Sequence, residues 1–321
     1  MTQTRDHGGG IDAACARYGG ARSDWLDLST GINPVPYPIG DVPKADWTAL
    51  PDSGALGELI AAARRFWSVP ETAQIVAAPG ASAIIARMPD LCGTGPAWIP
   101  GPTYNEHAAA FAARGGAQAI AKDPDAPVHV YVHPNNPDGR LTPESAIGER
   151  KLTIIDESFC DTSPNESHIA STAKPGVIVL KSFGKFWGLA GLRLGFAIGH
   201  PDTLTPTDGP SLSDLLGPWA VAGPAMTIGT RALSDTAWAE ATRTSLDRAA
   251  ARLDDLVTNR GATLVGGTPL FRLYEVDNVQ DWHVRLCHGR VLSRIFPYSA
   301  RWIRLGLPDP DRWDQLMDAL Q

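Results

Sequence analysis

Cysteine is scarce: four among 321 residues, at positions 15, 92, 160 and 287, with no CxxC spacing. That suggests neither a disulfide framework nor a zinc or other metal site, so a reducing, cytoplasmic setting is expected. Long hydrophobic runs are lacking too. No stretch approaches a bilayer span, and the start MTQTRDHGGG has no apolar signal core, so the expectation is a soluble protein with no membrane partner. Basic residues are outnumbered, 28 against 35 acidic, for a net charge of −7, which disfavours nucleic acid as a partner. Two nucleotide-binding patterns are also missing. No GxGxxG follows the first predicted strand, and Phe186 stands after Gly184 and Lys185 where a phosphate loop needs Ser or Thr.

What is present is a chain long enough for two lobes. Short β-branched runs at 75–77, 97–99, 128–133, 152–156, 177–181 and 194–198 alternate with helical patterns. This alternation predicts an α/β fold with a mostly parallel central sheet flanked by helices. Leu59, Ile60, Ala63, Phe66 and Trp67 share one stripe of a helix over 57–67, and a second helix over 105–114 stops at Gly115 and Gly116. After residue 210 the texture changes. A Pro-rich connection precedes a long helical pattern through Leu246, Leu253, Leu256 and Val257, and Trp313, Leu316, Met317 and Leu320 mark a terminal amphipathic helix. The expected division is a large α/β domain over 46–215 and a small domain, an α+β lobe, from 1–45 with 216–321.

The chemistry concentrates where the predicted strands end, the usual ligand side of an open parallel sheet. The turn PGAS, 79–82, offers helix N-terminal amides and Ser82 to an anion. PTY presents Tyr104, whose ring could stack on a planar ligand or merely pack on its own helix. PNNPDG carries Asn136, DESF begins with Asp156, and SFGKFWGLAGLRLG carries Ser182, Lys185 and Arg193. Lys185 stands out because its flanks are apolar or glycine, and the nearest charges, Lys181 and Arg193, share its sign. A desolvated ammonium is unfavourable unless it is paired, neutralised or covalently used. Two anion sites, a stacking ring, an amide, a carboxylate and such a lysine match what pyridoxal phosphate requires.

In that order these motifs resemble the aspartate-aminotransferase fold family, fold type I of the pyridoxal-phosphate enzymes, over nearly the whole chain. The resemblance implies that Lys185 carries the cofactor as an imine and that Asp156 keeps the pyridine nitrogen protonated. It further implies that Asn136 bonds the phenolic oxygen, Tyr104 stacks on the ring, and Ala81, Ser82, Ser182 and Arg193 hold the phosphate. A homodimer with the active site near its interface is implied as well. Three stretches, HGGGIDAACARYGG, WLDLSTGINPVPYP and LGPWAVAGPA, are similar to the threonine-phosphate decarboxylase branch, which makes aminopropanol phosphate for cobalamin biosynthesis. That similarity places His7, Asn33, Arg294 and Arg304 at the substrate's phosphate and carboxylate. A class I/II aminotransferase, such as a histidinol-phosphate aminotransferase, is the alternative. Departures from the pattern are Gly10, where the branch often has Asn, and Leu50, where many relatives carry a tyrosine that reaches the neighbouring subunit. Phe159, three residues after Asp156, lacks the hydroxyl that many transaminases carry there.

Overall fold

A computed structural model describes residues 7–93, 95–148 and 150–321. The chain forms two compact units, one of residues 37–241 and one of residues up to 36 together with 242–321. The larger unit is built on six strands: β1 (Gln74–Ala78), β2 (Ala97–Trp98), β3 (Val128–Val132), β4 (Leu152–Asp156), β5 (Val177–Ser182) and β6 (Gly195–Gly199). Their spatial order is β1-β6-β5-β4-β3-β2. From β2 to β5 all pairs are parallel, whereas β6 runs antiparallel to both of its neighbours. The expected mostly parallel sheet is therefore present. Strand direction at β6 is not encoded in an apolar run, because a strand covered on both faces is continuously hydrophobic either way.

Every residue of β3, β4 and β6 is buried. One core cluster joins Ile84 and Met88 of helix Ala81–Leu91 to Val128, Ile154, Ile178, Leu180 and Ala197 of the sheet. Rings fill another part of the unit: Trp187 stacks on Phe183 and Trp238 and meets Phe66 and Phe186.

Residues 37–45 and 216–241, expected in the smaller lobe, cluster with the larger unit. The reason is helix Gly223–Ser234, which packs on helix Ser53–Phe66. At the crossing, Gly229 leaves no room for a side chain, since a Cβ there would lie 2.9 Å from Leu59 and 2.6 Å from Leu194. An amphipathic stripe shows that a face is covered but not by which element, so the border was not readable from the pattern.

In the smaller unit, a four-stranded antiparallel sheet has the order Arg294–Ile295, Trp302–Gly306, Phe271–Glu275 and Thr263–Thr268. A short parallel pair, Leu26–Asp27 with Val291–Leu292, adds a second sheet. Helices Ile11–Tyr18, Val279–His288 and Trp313–Ala319 belong to this unit, and Ile11, Ala14, Trp25, Cys287 and Leu292 form one of its buried clusters. Among the described residues no helix is long and apolar enough to cross a membrane.

Candidate active site

At the carboxyl ends of β3, β4 and β5 a cavity opens. It is lined by Ala81, Ser82, Ile85, Tyr104, Val132, Asn136, Asp156, Ser158, Phe159, Ser182, Gly184, Lys185, Ala190 and Arg193. The eight residues read from the sequence as a cofactor set, Ala81, Ser82, Tyr104, Asn136, Asp156, Ser182, Lys185 and Arg193, all lie on this wall.

The anion end is shaped by close backbone approach. Gly80, at φ 89°, precedes helix Ala81–Leu91 and supplies no side-chain cap to its first amides. A Cβ on Gly80 would sit 2.7 Å from an Arg193 guanidinium nitrogen, and one on Gly195 would sit 2.4 Å from the Ala81 nitrogen. Arg193 itself is left-handed, at φ 52° and ψ 55°. That conformation costs a non-glycine residue about 1–2 kcal/mol and persists only where its surroundings over-determine it. An uncapped helix start, two serine hydroxyls and a guanidinium together suit a phosphate.

Asp156 closes β4 and is almost fully buried. Its Oδ2 accepts a hydrogen bond from His107 Nε2 at 2.9 Å, and its Oδ1 accepts from the Ser158 hydroxyl at 2.5 Å and amide at 3.0 Å. Burial by itself would raise this carboxyl, but His107 and Ser158 more than offset it and hold Asp156 below the ordinary carboxylate range. His107 is a site residue the sequence reading missed. The available signal was its place three residues after Tyr104, in the first turn of helix Asn105–Gly115, where Tyr104 is the N-cap and its ring meets the imidazole edge-on at 6.1 Å. Nδ1 of His107 is buried with no hydrogen-bond partner among the described residues, which fits a ring that donates from Nε2 to the carboxylate.

The two asparagines of PNNPDG divide their duties. Asn135 is a structural tie, donating to Pro102 O and Asp138 and accepting from the Thr103 hydroxyl, whereas Asn136 lines the cavity. Lys185 is half-buried, with Nζ 5.3 Å from the centroid of the Phe159 ring. The deeply buried cation of this region is instead Lys181, paired with Glu157 at 2.6 Å. Desolvation would lower the Lys181 ammonium, but Glu157 and then Asp161 hold it above the ordinary lysine value.

The donor set fits pyridoxal phosphate. The cradle around Gly80 suits the phosphate, Tyr104 a ring face, the ionised Asp156 a protonated ring nitrogen, and Lys185 an aldehyde.

The four expected substrate residues fall in the smaller unit. His7 is exposed, and Asn33 is buried with its Oδ1 accepting the Val35 amide. Arg294 and Arg304 stand directly opposite each other on adjacent antiparallel strands. Nη2 of Arg304 donates to the Ser29 carbonyl at 2.7 Å. Burial, and then the neighbouring Arg294, lower the Arg304 guanidinium to about 10, which Tyr298 and Asp27 offset only in part.

Comparison with known proteins agrees with this geometry. Residues 43–320 match the family described as aminotransferase class I and II. The chain is 40% identical to a threonine-phosphate decarboxylase of Sinorhizobium sp and 35% identical to one of Pseudomonas aeruginosa, in each case over 98% of this chain and 97% of the relative. A solved structure of histidinol-phosphate aminotransferase from Sinorhizobium meliloti, in complex with pyridoxal-5'-phosphate, superposes with a TM-score of 0.80. It is 18% identical, over 97% of this chain and 94% of that one.

Proposed function

The chain belongs to the class I and II aminotransferase family, and from that premise we propose that it decarboxylates L-threonine O-3-phosphate to aminopropanol phosphate, a step serving cobalamin biosynthesis. It is a pyridoxal-phosphate-dependent enzyme. The observation that carries the reading is a single cavity. Lys185, an Asp156 held ionised by His107, and an anion cradle line it together, in a chain similar to threonine-phosphate decarboxylases along nearly its whole length.

Bound there, pyridoxal phosphate supplies an electron sink for a bond breaking at the substrate's Cα. Lys185 Nζ holds the cofactor and carries the proton that Cα exchanges. Asp156 keeps a proton on the ring nitrogen, and His107 keeps Asp156 ionised and aimed. Tyr104 would cover a ring face, Asn136 would donate to the phenolic oxygen, and Ala81, Ser82, Ser182 and Arg193 would hold the phosphate. For the substrate's anionic ends the reading draws on His7, Asn33, Arg294 and Arg304. Two guanidiniums facing each other across a strand pair are mutually unfavourable, and a carboxylate or phosphate between them reverses the sign. The outcome would depend on which bond at Cα breaks: loss of the carboxylate gives decarboxylation and loss of the proton gives transamination.

A cytoplasmic homodimer is part of the same reading. Supporting it are Trp47, Leu50 and Trp219, all more than half exposed in the larger unit, and the four unbridged cysteines.

The test is incubation with L-threonine phosphate in the absence of any 2-oxo acid. Release of CO2 and aminopropanol phosphate is expected, and Lys185→Ala should lower it by at least about 10³-fold. No CO2, with turnover of histidinol phosphate and 2-oxoglutarate instead, would replace this reading with a transaminase.

A further inference from the structure

Successive residues of a strand project to opposite sides. At the ends of β4 and β5 the two sides carry different chemistry. Asp156 and Ser182 line the cavity, while Glu157 and Lys181 are buried away from it, joined at 2.6 Å. Glu157 also accepts from the Ser167 hydroxyl and the His168 amide, both at 2.6 Å. The second carboxylate of this group is Asp161, 3% exposed and 3.7 Å from Lys181. Each of its oxygens accepts one indole N–H, Oδ1 from Trp67 at 2.8 Å and Oδ2 from Trp187 at 3.1 Å.

Trp187 lies two residues beyond Lys185, fully buried. Its indole is sandwiched between Phe183, at 5.1 Å and 11°, and Trp238, at 5.4 Å and 13°. Stacking of this kind fixes the plane of the ring, but apolar contact is non-directional and resists sliding within that plane only weakly. A hydrogen bond does have a direction. The main-chain bonds Phe183 N to Leu194 O, Leu189 N to Phe183 O and Gly188 N to Lys185 O close the lysine loop on itself. The Trp187–Asp161 bond ties that loop to the segment that carries Asp156, Ser158 and Phe159.

We propose that Asp161 is a positioning residue for Lys185: by fixing Trp187 within its stacking plane it sets where the Lys185 amine stands relative to Asp156 across the cavity. The proposal rests on the reading of Lys185 as the residue that carries pyridoxal phosphate. Asp161 is not on the cavity wall and reaches Lys185 through Trp187, while its bond to Trp67 and its contact with Lys181 hold the carboxylate in place.

The probe is pyridoxal phosphate, and two quantities are read: the rate at which borohydride fixes it on Lys185, and the pH midpoint of its absorbance once bound. Trp187→Phe removes the bond while leaving a ring in the stack, and Asp161→Ala removes it together with the Trp67 bond and the Lys181 contact, so Trp67→Phe is the matched control and should label at the wild-type rate. Trp187→Phe and Asp161→Ala should slow labelling by about 10-fold or more and shift the midpoint, and the double variant should be no slower than the slower single one, because both remove the Trp187 link. Leu316→Ala, in the core of the smaller unit, is the control for lost stability alone, and should leave rate and midpoint unchanged. If Asp161→Ala does not fold, Trp187→Phe against Trp67→Phe carries the comparison. Labelling at the wild-type rate with an unshifted midpoint in the folded Trp187 and Asp161 variants overturns the positioning role while leaving the function intact. A wild-type protein that takes no label on Lys185 overturns both.

Discussion

Buried charge is handled in opposite ways in the two units. In the larger unit Asp156 has His107 and Ser158, and Glu157 has Lys181, Ser167 and His168. Both carboxyls are held below their ordinary values despite burial. In the smaller unit two cations are set side by side, and Arg304 is lowered to about 10 by burial and by Arg294. In the first, opposite charges sit against each other; in the second, like charges do, so an anion between the two guanidiniums would relieve a repulsion. That difference suits a resident group in the one and, on the proposed reading, an arriving anionic ligand in the other.

The largest effect expected from this contrast is on stability. Lys181→Met leaves Glu157 and Asp161 buried without their cation and should lower the free energy of unfolding by about 3–5 kcal/mol. Arg304→Met removes a charge whose neighbour repels it. Its hydrogen bond to Ser29 is lost, but so is the desolvation of a cation, and the net change should stay within about 1 kcal/mol. Urea unfolding of the two variants reads the difference. Equal losses would break the comparison, because both regions would then be ordinary structural ion sites.

The two regions also differed in how much the sequence disclosed. Lys185, Asp156 and Arg193 were legible because strand ends are marked by short apolar runs, and the ligand side of a parallel sheet follows from its topology. Lys181 was visible only as a like-charged neighbour of Lys185. Which side of β5 it takes, and that Glu157 and Asp161 wait there, depends on register between strands that a single run does not carry. His107 was hidden for a similar reason, since its partner Asp156 is 49 residues away while its local surroundings read as an ordinary helix start. Helix Gly223–Ser234 buries Ala225, Met226, Ile228, Ala232 and Leu233, and which element covers them is not written in its own sequence, so the border expected at 215 differs from the one at which the units cluster. The Arg294–Arg304 pairing needed the antiparallel register, though both residues had been picked out individually.

Acid sharpens the comparison with a smaller effect. Asp156 and Glu157 have folded values below their ordinary 3.8 and 4.5. For depressed carboxyls the stabilisation is fully present above the ordinary value and is lost as pH falls through the folded one. Unfolding free energy should therefore hold near neutrality and fall below about pH 4. Glu157→Gln should flatten the acid limb, whereas Arg304→Met, which changes no group titrating there, should leave its slope as in the wild type. An unchanged slope in Glu157→Gln would mean that the buried carboxylate cluster does not drive acid unfolding.

The smallest effect isolates the arginine pair. With pyridoxal phosphate bound, the cradle at Gly80 and Arg193 is taken, so added inorganic phosphate is left with Arg294 and Arg304. A ligand at its dissociation constant stabilises by RT ln 2, about 0.4 kcal/mol, a rise of roughly 1 °C in Tm for a chain this long. The rise should vanish in Arg304→Met and shrink with added chloride, because an anion held between two guanidiniums is screened by competing anions. Persistence of the full rise in Arg304→Met would place the phosphate elsewhere and remove the contrast between the two units. Its disappearance there, with pyridoxal phosphate still held on Lys185, would show that the two anion sites fill independently, one by the cofactor and one by the substrate.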